Sequence, residues 1–196
     1  DRRLQLNIHN TLGIIAFRQE RYDDARRRLA VALEHSRQLG ARSAEGRFYN
    51  NLGLVEKAQG RLEAARAAFE HSVTISRKLG TADSEARILM NMGQTVMLSE
   101  DLDEALRLMR SANDIYRRIQ ARGGLLSGFI NEGALLIELG HHEEAREILD
   151  EAVRLGTTLA SFQLLQVARS SRGLASAHLG EVLSLIHISE PTRRYE

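Results

Sequence analysis

Glycine recurs at a fixed step of forty residues, at Gly13, Gly53, Gly93, Gly133 and Gly173. A constant step of that size is the mark of one supersecondary unit copied along the chain, and it excludes most single-core folds. Three further series keep the same step. Small side chains stand at Ala25, Ala65, Ala105 and Ala145, and again at Ala32, Ser72, Ala112 and Ala152. Bulky apolar ones stand at Leu29, Phe69, Met109 and Leu149. A short polar turn separates each glycine from the alanine that follows: RQERY, AQGRL, LSEDL and LGHHE.

Each unit reads as two helices. In the second unit the spacing of Phe48, Leu52 and Val55 predicts a first helix, A, near residues 43–59. Leu62, Ala65, Phe69, Val73 and Ile75 predict a second, B, near 62–79. Gly60 ends helix A, and Gly40 and Gly80 stand just past B helices, where a left-handed cap favours glycine. Acids open the B helices (Asp23, Asp24, Glu63, Asp103, Glu104, Glu143, Glu144) and bases close several of them (Arg37, Arg77, Lys78, Arg117, Arg118), as the helix dipole favours. The dipole thus accounts for most of the arginines without a ligand. The recurrent small residues predict close crossings of A and B, so Ala65→Leu should overpack one at a cost of about 1–3 kcal/mol. Aromatic residues are 5% of the chain and tryptophan is absent, which suits a core of aliphatic side chains on packed helices. The expected architecture is all-α, a right-handed α-solenoid of stacked antiparallel helix pairs. Its units fall at about 2–41, 42–81, 82–121 and 122–161, with a partial one at 162–182.

These features resemble the tetratricopeptide repeat in its long, forty-residue form. The match rests on the Leu/Met-Gly pair (Leu12-Gly13, Leu52-Gly53, Met92-Gly93) and the three series above. The proline usual near the end of the family's shorter unit is missing. The long unit is similar to repeats of kinesin light chains and spindle-orientation adaptors. SRQLGARSAEGRFYNNLG and SRKLGTADSEARILMNMG look most like the C-terminal arms of large bacterial ATP-dependent transcription activators. Some copies depart from the pattern. Glu132 and Arg172 replace the apolar residue before the glycine. Gly123, Gly124 and Gly128 crowd the fourth helix A, and Gly156 is expected to interrupt the fourth helix B, leaving that part of the array bent or softer. The fifth unit shows only its first helix.

Pro191, the only proline, sits in a tail that carries no repeat residue. Leu183 to Arg193 resembles a translated sequencing adapter, so 183–196 is read as an artefact and the chain as a fragment.

The resemblance implies a concave groove lined by A helices that holds a protein or peptide segment. The residue two before each glycine faces it: Thr11, Asn51, Asn91, Asn131 and Ser171. An asparagine ladder offers donor and acceptor to an extended backbone whatever its side chains; the competing reading is that these amides bond neighbouring helices or water. One turn earlier stand Asn7, Arg47, Arg87 and Ser127. Arg47 and Arg87 are suited to gripping a carboxylate, or else belong to a solvated face. Tyr49, Leu54, Gln94 and Met97 are candidates for side-chain pockets, with core packing the commoner fate for Tyr49.

Other chemistry finds little support. His141-His142-Glu143-Glu144 lacks a distant partner and HExxH is absent, so no metal site is expected; His9 and His178 read as ordinary helix residues. No phosphate-binding loop, nucleophile elbow, dinucleotide fingerprint or zinc spacing occurs, and no catalytic residue or cofactor is expected. ARRRLA around Arg26–Arg28 is basic, but Asp23 and Asp24 precede it and no stacking aromatics accompany it, against nucleic acid. Net charge is +1, cysteine is absent, and no apolar run could span a bilayer. The expectation is a cytoplasmic, non-catalytic scaffold, the interaction or sensor arm of a larger bacterial signalling or transcription regulator. The alternatives are the regulatory region of a kinase, phosphatase or cyclase, and a self-association module.

Overall fold

The computed structural model describes residues 2–180, and the adapter-like 183–196 lie outside the described residues. Among the described residues there are nine helices and no strand. They are α1 (Arg2–Arg18), α2 (Tyr22–Gln38), α3 (Arg42–Ala58), α4 (Leu62–Leu79), α5 (Ala82–Met97), α6 (Leu102–Arg118), α7 (Arg122–Glu138), α8 (His142–Thr158) and α9 (Phe162–His178). The chain divides into two compact units between Gln120 and Ala121, the first holding α1–α6 and the second α7–α9.

The turns between helices keep a step of twenty residues, half the sequence repeat. A left-handed residue stands at Glu20, Gly40, Gly60, Gly80, Glu100, Gln120, Gly140, Ala160 and Gly180, with φ between 50° and 77°. At Gly40 the bonding is that of a Schellman cap: Ala41 N–H donates to Ser36 O at 2.8 Å and Gly40 N–H to Arg37 O at 3.0 Å. The same long bond closes the turns at Arg21, Arg61, Thr81, His141 and Ser161. Asp101 alone accepts a capping bond, from Glu104 N–H at 3.0 Å, among the described N-caps.

The forty-residue series meet in space. A Cβ built on Gly13 would lie 3.1 Å from Leu29, on Gly53 2.6 Å from Phe69, on Gly93 3.0 Å from Met109 and on Gly133 2.5 Å from Leu149. Each glycine on an A helix is thus the socket for the bulky residue of its own B helix. Ala25, Ala65, Ala105 and Ala145 beside these contacts are fully buried, as are Ala32, Ser72, Ala112 and Ala152. Ser72 also donates to Gly46 O at 2.7 Å, which satisfies its hydroxyl inside the crossing.

In the first unit each helix packs on the next, and the A helices α1, α3 and α5 also touch in succession; α2, α4 and α6 make no comparable contact with one another. The A helices therefore form the inner wall of this unit. Phe48, Tyr49, Ala32, Leu33 and Ala68 make one core cluster, and Ala16, Ala25, Leu29 and Val55 another. Ile8 and Ile15 of α1 are exposed where their equivalents Phe48 and Ile88, Val55 and Thr95 are buried, because no B helix precedes α1 among the described residues.

In the second unit α8 packs against both α7 and α9 around Leu126, Phe129, Ile130, Ala152 and Ala168. The expectation that Gly156 breaks the fourth helix B is corrected: α8 is continuous to Thr158. The glycine has a packing role, since a Cβ there would sit 3.4 Å from Leu165 of α9. Likewise α7 stays helical through Gly123, Gly124 and Gly128.

Three outcomes test this packing. Gly133→Ala should destabilise by about 1–3 kcal/mol in urea titration, because the new methyl drives into Leu149. Gly173→Ala, with nothing within 4 Å of its Cβ, should be neutral or stabilise by up to about 1 kcal/mol. Replacing Ala160, which carries a positive φ of 50°, by glycine should raise the melting temperature, the left-handed conformation costing a Cβ-bearing residue about 1–2 kcal/mol.

Candidate functional site

The inner wall of the first unit is built from one face of α1, α3 and α5. Contacts between neighbouring A helices identify its positions. Asn51 Nδ2 donates to Asn10 Oδ1 at 2.9 Å, and Asn91 Nδ2 to Asn50 Oδ1 at 3.0 Å. Farther along, Lys57 Nζ donates to Gln94 Oε1 at 3.1 Å. The amide nitrogens of Asn51 and Asn91 thus tie helix to helix, while both side chains stay only half-buried. Asn131, the equivalent residue on α7, is also half-buried, and no bond joins its side chain to another described residue.

The partners in these bonds were not singled out by the repeat. Asn10 and Asn50 form a second amide series, which ends because Met90 and Ile130 occupy the next two places. An asparagine one residue ahead of a ladder asparagine, in the preceding A helix, was the available signal. Lys57 and Gln94 lie 37 residues apart and so escape a search at steps of forty.

Arg47 and Arg87 come to one cavity. It has a volume of about 170 Å³, and Asn50, Ser43, Ser84 and Ile75 also line it. Both arginines are exposed, and neither forms an ion pair among the described residues; Arg47 lies 5.4 Å over the ring of its neighbour Phe48. Asp83, one turn before Arg87, lies on the same face of α5, and both act on Tyr116 of α6. With burial as the larger cause, the Asp83 charge pushes the Tyr116 phenol up, against the opposing pull of Arg87.

Leu54 lines a second, mainly apolar cavity of about 220 Å³, between α1 and α3. Gly13, Ile14, Phe17, Leu29 and Val55 supply its walls, with Arg18 and Asn51 at its edge. Gln94 lies in the corresponding place one repeat on, where it accepts from Lys57. Tyr49 is buried in the core; its hydroxyl accepts from Arg37 and its ring stacks on His71 at 4.8 Å.

Three acids of these A helices are occupied elsewhere. Glu45 is buried and paired with Arg37 at 3.3 Å and Arg42 at 2.8 Å. Glu56 is buried and paired with Arg61, and Glu85 meets Arg77 at 2.7 Å. At the wall positions 7, 10, 11, 14, 17 and 18 and their equivalents on α3 and α5 stands no acid at all. Lys57 adds a cation held without a carboxylate, and burial pushes its pKa down.

The histidines behave differently from expectation in one respect. His178 is not isolated but stacks on His142 at 4.6 Å and 7°, and His9 lies 6.1 Å from His35. No group of three or more metal-ligating side chains occurs among the described residues, and no helix among them is long and apolar enough to cross a membrane.

Residues 4–78 and 45–118 match one tetratricopeptide-repeat family model, and residues 127–151 match another. The chain belongs to the tetratricopeptide-repeat family and is an all-α solenoid scaffold of helix pairs. Among solved structures it is similar to BtubC (BKLC) from P. vanneervenii, with 23% identity over 82% of this chain and 66% of that one at a TM-score of 0.74. It is similar to the apo form of RapI, with 14% identity over 95% of this chain and 52% of that one at 0.83. A third neighbour is a signal transduction ATPase with numerous domains from Pyrococcus horikoshii, described as having a tetratricopeptide repeat sensor. It shares 14% identity over 96% of this chain and 31% of that one at 0.80. The chain thus spans about two thirds, half and a third of these proteins. No curated protein matches it significantly.

Lys57 makes a pH prediction. Its folded pKa lies below the unfolded one, so the unfolded chain holds the extra proton between the two values and stability rises with pH there. Stability measured from pH 8 to 11 should therefore climb for the wild type relative to K57M, whatever the offset between them at neutral pH.

Proposed function

We propose that this chain is a non-catalytic scaffold whose A-helix wall holds an extended protein segment. The observation that carries the reading is the composition of that wall: exposed Arg47 and Arg87, half-buried Asn51 and Asn91, and no acid among them. Amides with spare oxygens suit a peptide backbone, and unpaired guanidiniums suit carboxylates. Asn131 offers the same group on α7 with its amide uncommitted to other described residues. Leu54 and Gln94 complete the wall, one lining an apolar cavity and the other bonded to Lys57.

On this reading the scaffold serves as the sensor or interaction arm of a larger bacterial signalling or transcription regulator in the cytoplasm. The likeness in fold to an ATPase described as carrying a tetratricopeptide repeat sensor supports that assignment. An ATPase with a helix-turn-helix in the same gene would support it further. A kinase, phosphatase or cyclase domain there would favour the alternative, an enzyme's regulatory region, and concentration-dependent sedimentation would favour a self-association module.

The test is a peptide selected from a random displayed library and titrated calorimetrically. N131A should weaken binding about three- to tenfold, the worth of one lost hydrogen bond, with the helical circular dichroism unchanged. N51A and N91A should weaken it as well, and each also loses an inter-helix bond, so their melting temperatures should fall. Affinity unchanged in all three would remove the asparagines from the binding site.

A further inference from the structure

The cavity at Arg47 and Arg87 and the one at Leu54 lie on opposite flanks of α3 and differ in chemistry. The one toward α5 is polar and cationic, with Arg47, Arg87 and the buried amide of Asn50 on its walls. The one toward α1 is apolar, with Ile14, Phe17, Leu54 and Val55 around it and Arg18 at the mouth.

The residues that wall the apolar cavity change one repeat farther on. One repeat farther on, Leu54, Lys57, Phe69 and Gln94 hold the places of Ile14, Phe17, Leu29 and Leu54. There the Lys57–Gln94 bond spans the groove, and no matching apolar cavity of that kind is found among those described. The cationic cavity needs an arginine from two successive A helices, a condition that only α3 and α5 meet, since Asn7 and Ser127 flank the pair in the series. Each groove therefore presents one feature, and α3 presents both.

Resting on the peptide-binding reading above, we propose that the ligand is an extended acidic segment with a two-point signature. One apolar side chain enters the α1–α3 cavity, and an acidic side chain lies between Arg47 and Arg87. Charge selects this occupant: the wall positions carry Arg18, Arg47, Lys57 and Arg87 and no acid. A basic or neutral segment would leave those cations facing like charge or nothing.

The fold sets the spacing. Leu54 follows Arg47 by seven residues, about 10 Å along α3 at 1.5 Å per residue. The grooves on either side of a helix lie about 10 Å apart. The diagonal of roughly 14 Å equals about four residues of extended chain. The backbone between the two side chains passes Asn51, which borders the apolar cavity, and Asn50, which borders the cationic one.

Random dodecapeptides displayed on phage and selected against the full chain test this directly. The selected pool should be rich in Asp or Glu and in Leu, Ile, Phe or Met, with the two classes about four residues apart. Selection on R47Q/R87Q should lose the acidic preference and keep the apolar one. F17K/L54Q transplants the Lys57–Gln94 pair into the first groove and should do the reverse. L54F, which fills the same cavity, serves if the double variant does not fold by circular dichroism. For the best peptide each variant should weaken binding at least about tenfold, and added salt should weaken it for the wild type but not for R47Q/R87Q. A pool without the paired signature, or variants that keep both preferences, overturns this inference and leaves the peptide-binding reading standing. No enrichment over the empty support overturns that reading itself.

Discussion

The contact between a glycine on each A helix and a bulky residue sixteen places later on its B helix sets the rest of the structure. At Gly53 and Gly133 even a methyl would press to 2.6 and 2.5 Å of the facing side chain. So tight an approach brings the two backbones close and buries the alanines beside them completely. It also fixes which way each A helix is turned. With the glycine side committed to helix B, the opposite side of α1, α3 and α5 is left to face the neighbouring A helices and the groove. The wall that carries the arginines and asparagines is a consequence of where the glycines are.

The turns supply the second constraint. Two to four residues join consecutive helices, three in most cases, and each connection holds one left-handed residue. A turn this short holds consecutive helices antiparallel and in fixed register, so the spacing of side chains along the wall repeats from unit to unit. At Glu20, Glu100, Gln120 and Ala160 the chain takes up that conformation without glycine. At Glu20 and Ala160 the long Schellman bond closes the turn, and packing of the flanking helices helps to outweigh the local cost, as tertiary context commonly does.

How legible each feature is in the sequence follows from its period. The helix pairs, the caps at Gly40, Gly60 and Gly80 and the socket contacts all recur every forty residues, and a ruler of that length finds them. The twenty-residue beat of the turns is hidden because four of its nine positions lack the glycine that would announce it. The second amide series is hidden because it has two members before Met90 ends it. Bonds between neighbours on the wall, Asn10–Asn51 and Lys57–Gln94, span 41 and 37 residues, since helices pack with an offset. The His142–His178 stack, at a separation of 36, was missed for the same reason. Gly156 misled because a glycine inside a predicted helix reads as a break, whereas here it makes room for Leu165.

A chain with a net charge of only +1 nonetheless builds a wall free of acid, and the reason is where the carboxylates find partners. On the B helices Asp23, Asp24, Glu63, Asp103, Glu104, Glu143 and Glu144 sit in first turns, where the helix dipole favours them. Three of those of α3 and α5 that lie near the turns, Glu45, Glu56 and Glu85, are taken by Arg37 and Arg42, Arg61 and Arg77, arginines at or next to the same turns, while Asp83 lies outside the positions that make up the wall. Two of the three are buried, where an unpaired carboxylate would be costly, so these pairs are held by the fold and do not compete for groove cations. Among the wall cations left over, Arg47 and Arg87 stand one helical turn before the ladder asparagines, away from the turns. Their availability is therefore not an accident of surface charge. It follows from an architecture that neutralises acid at the turns, twenty residues apart, and leaves the middle of each A helix to whatever the groove receives.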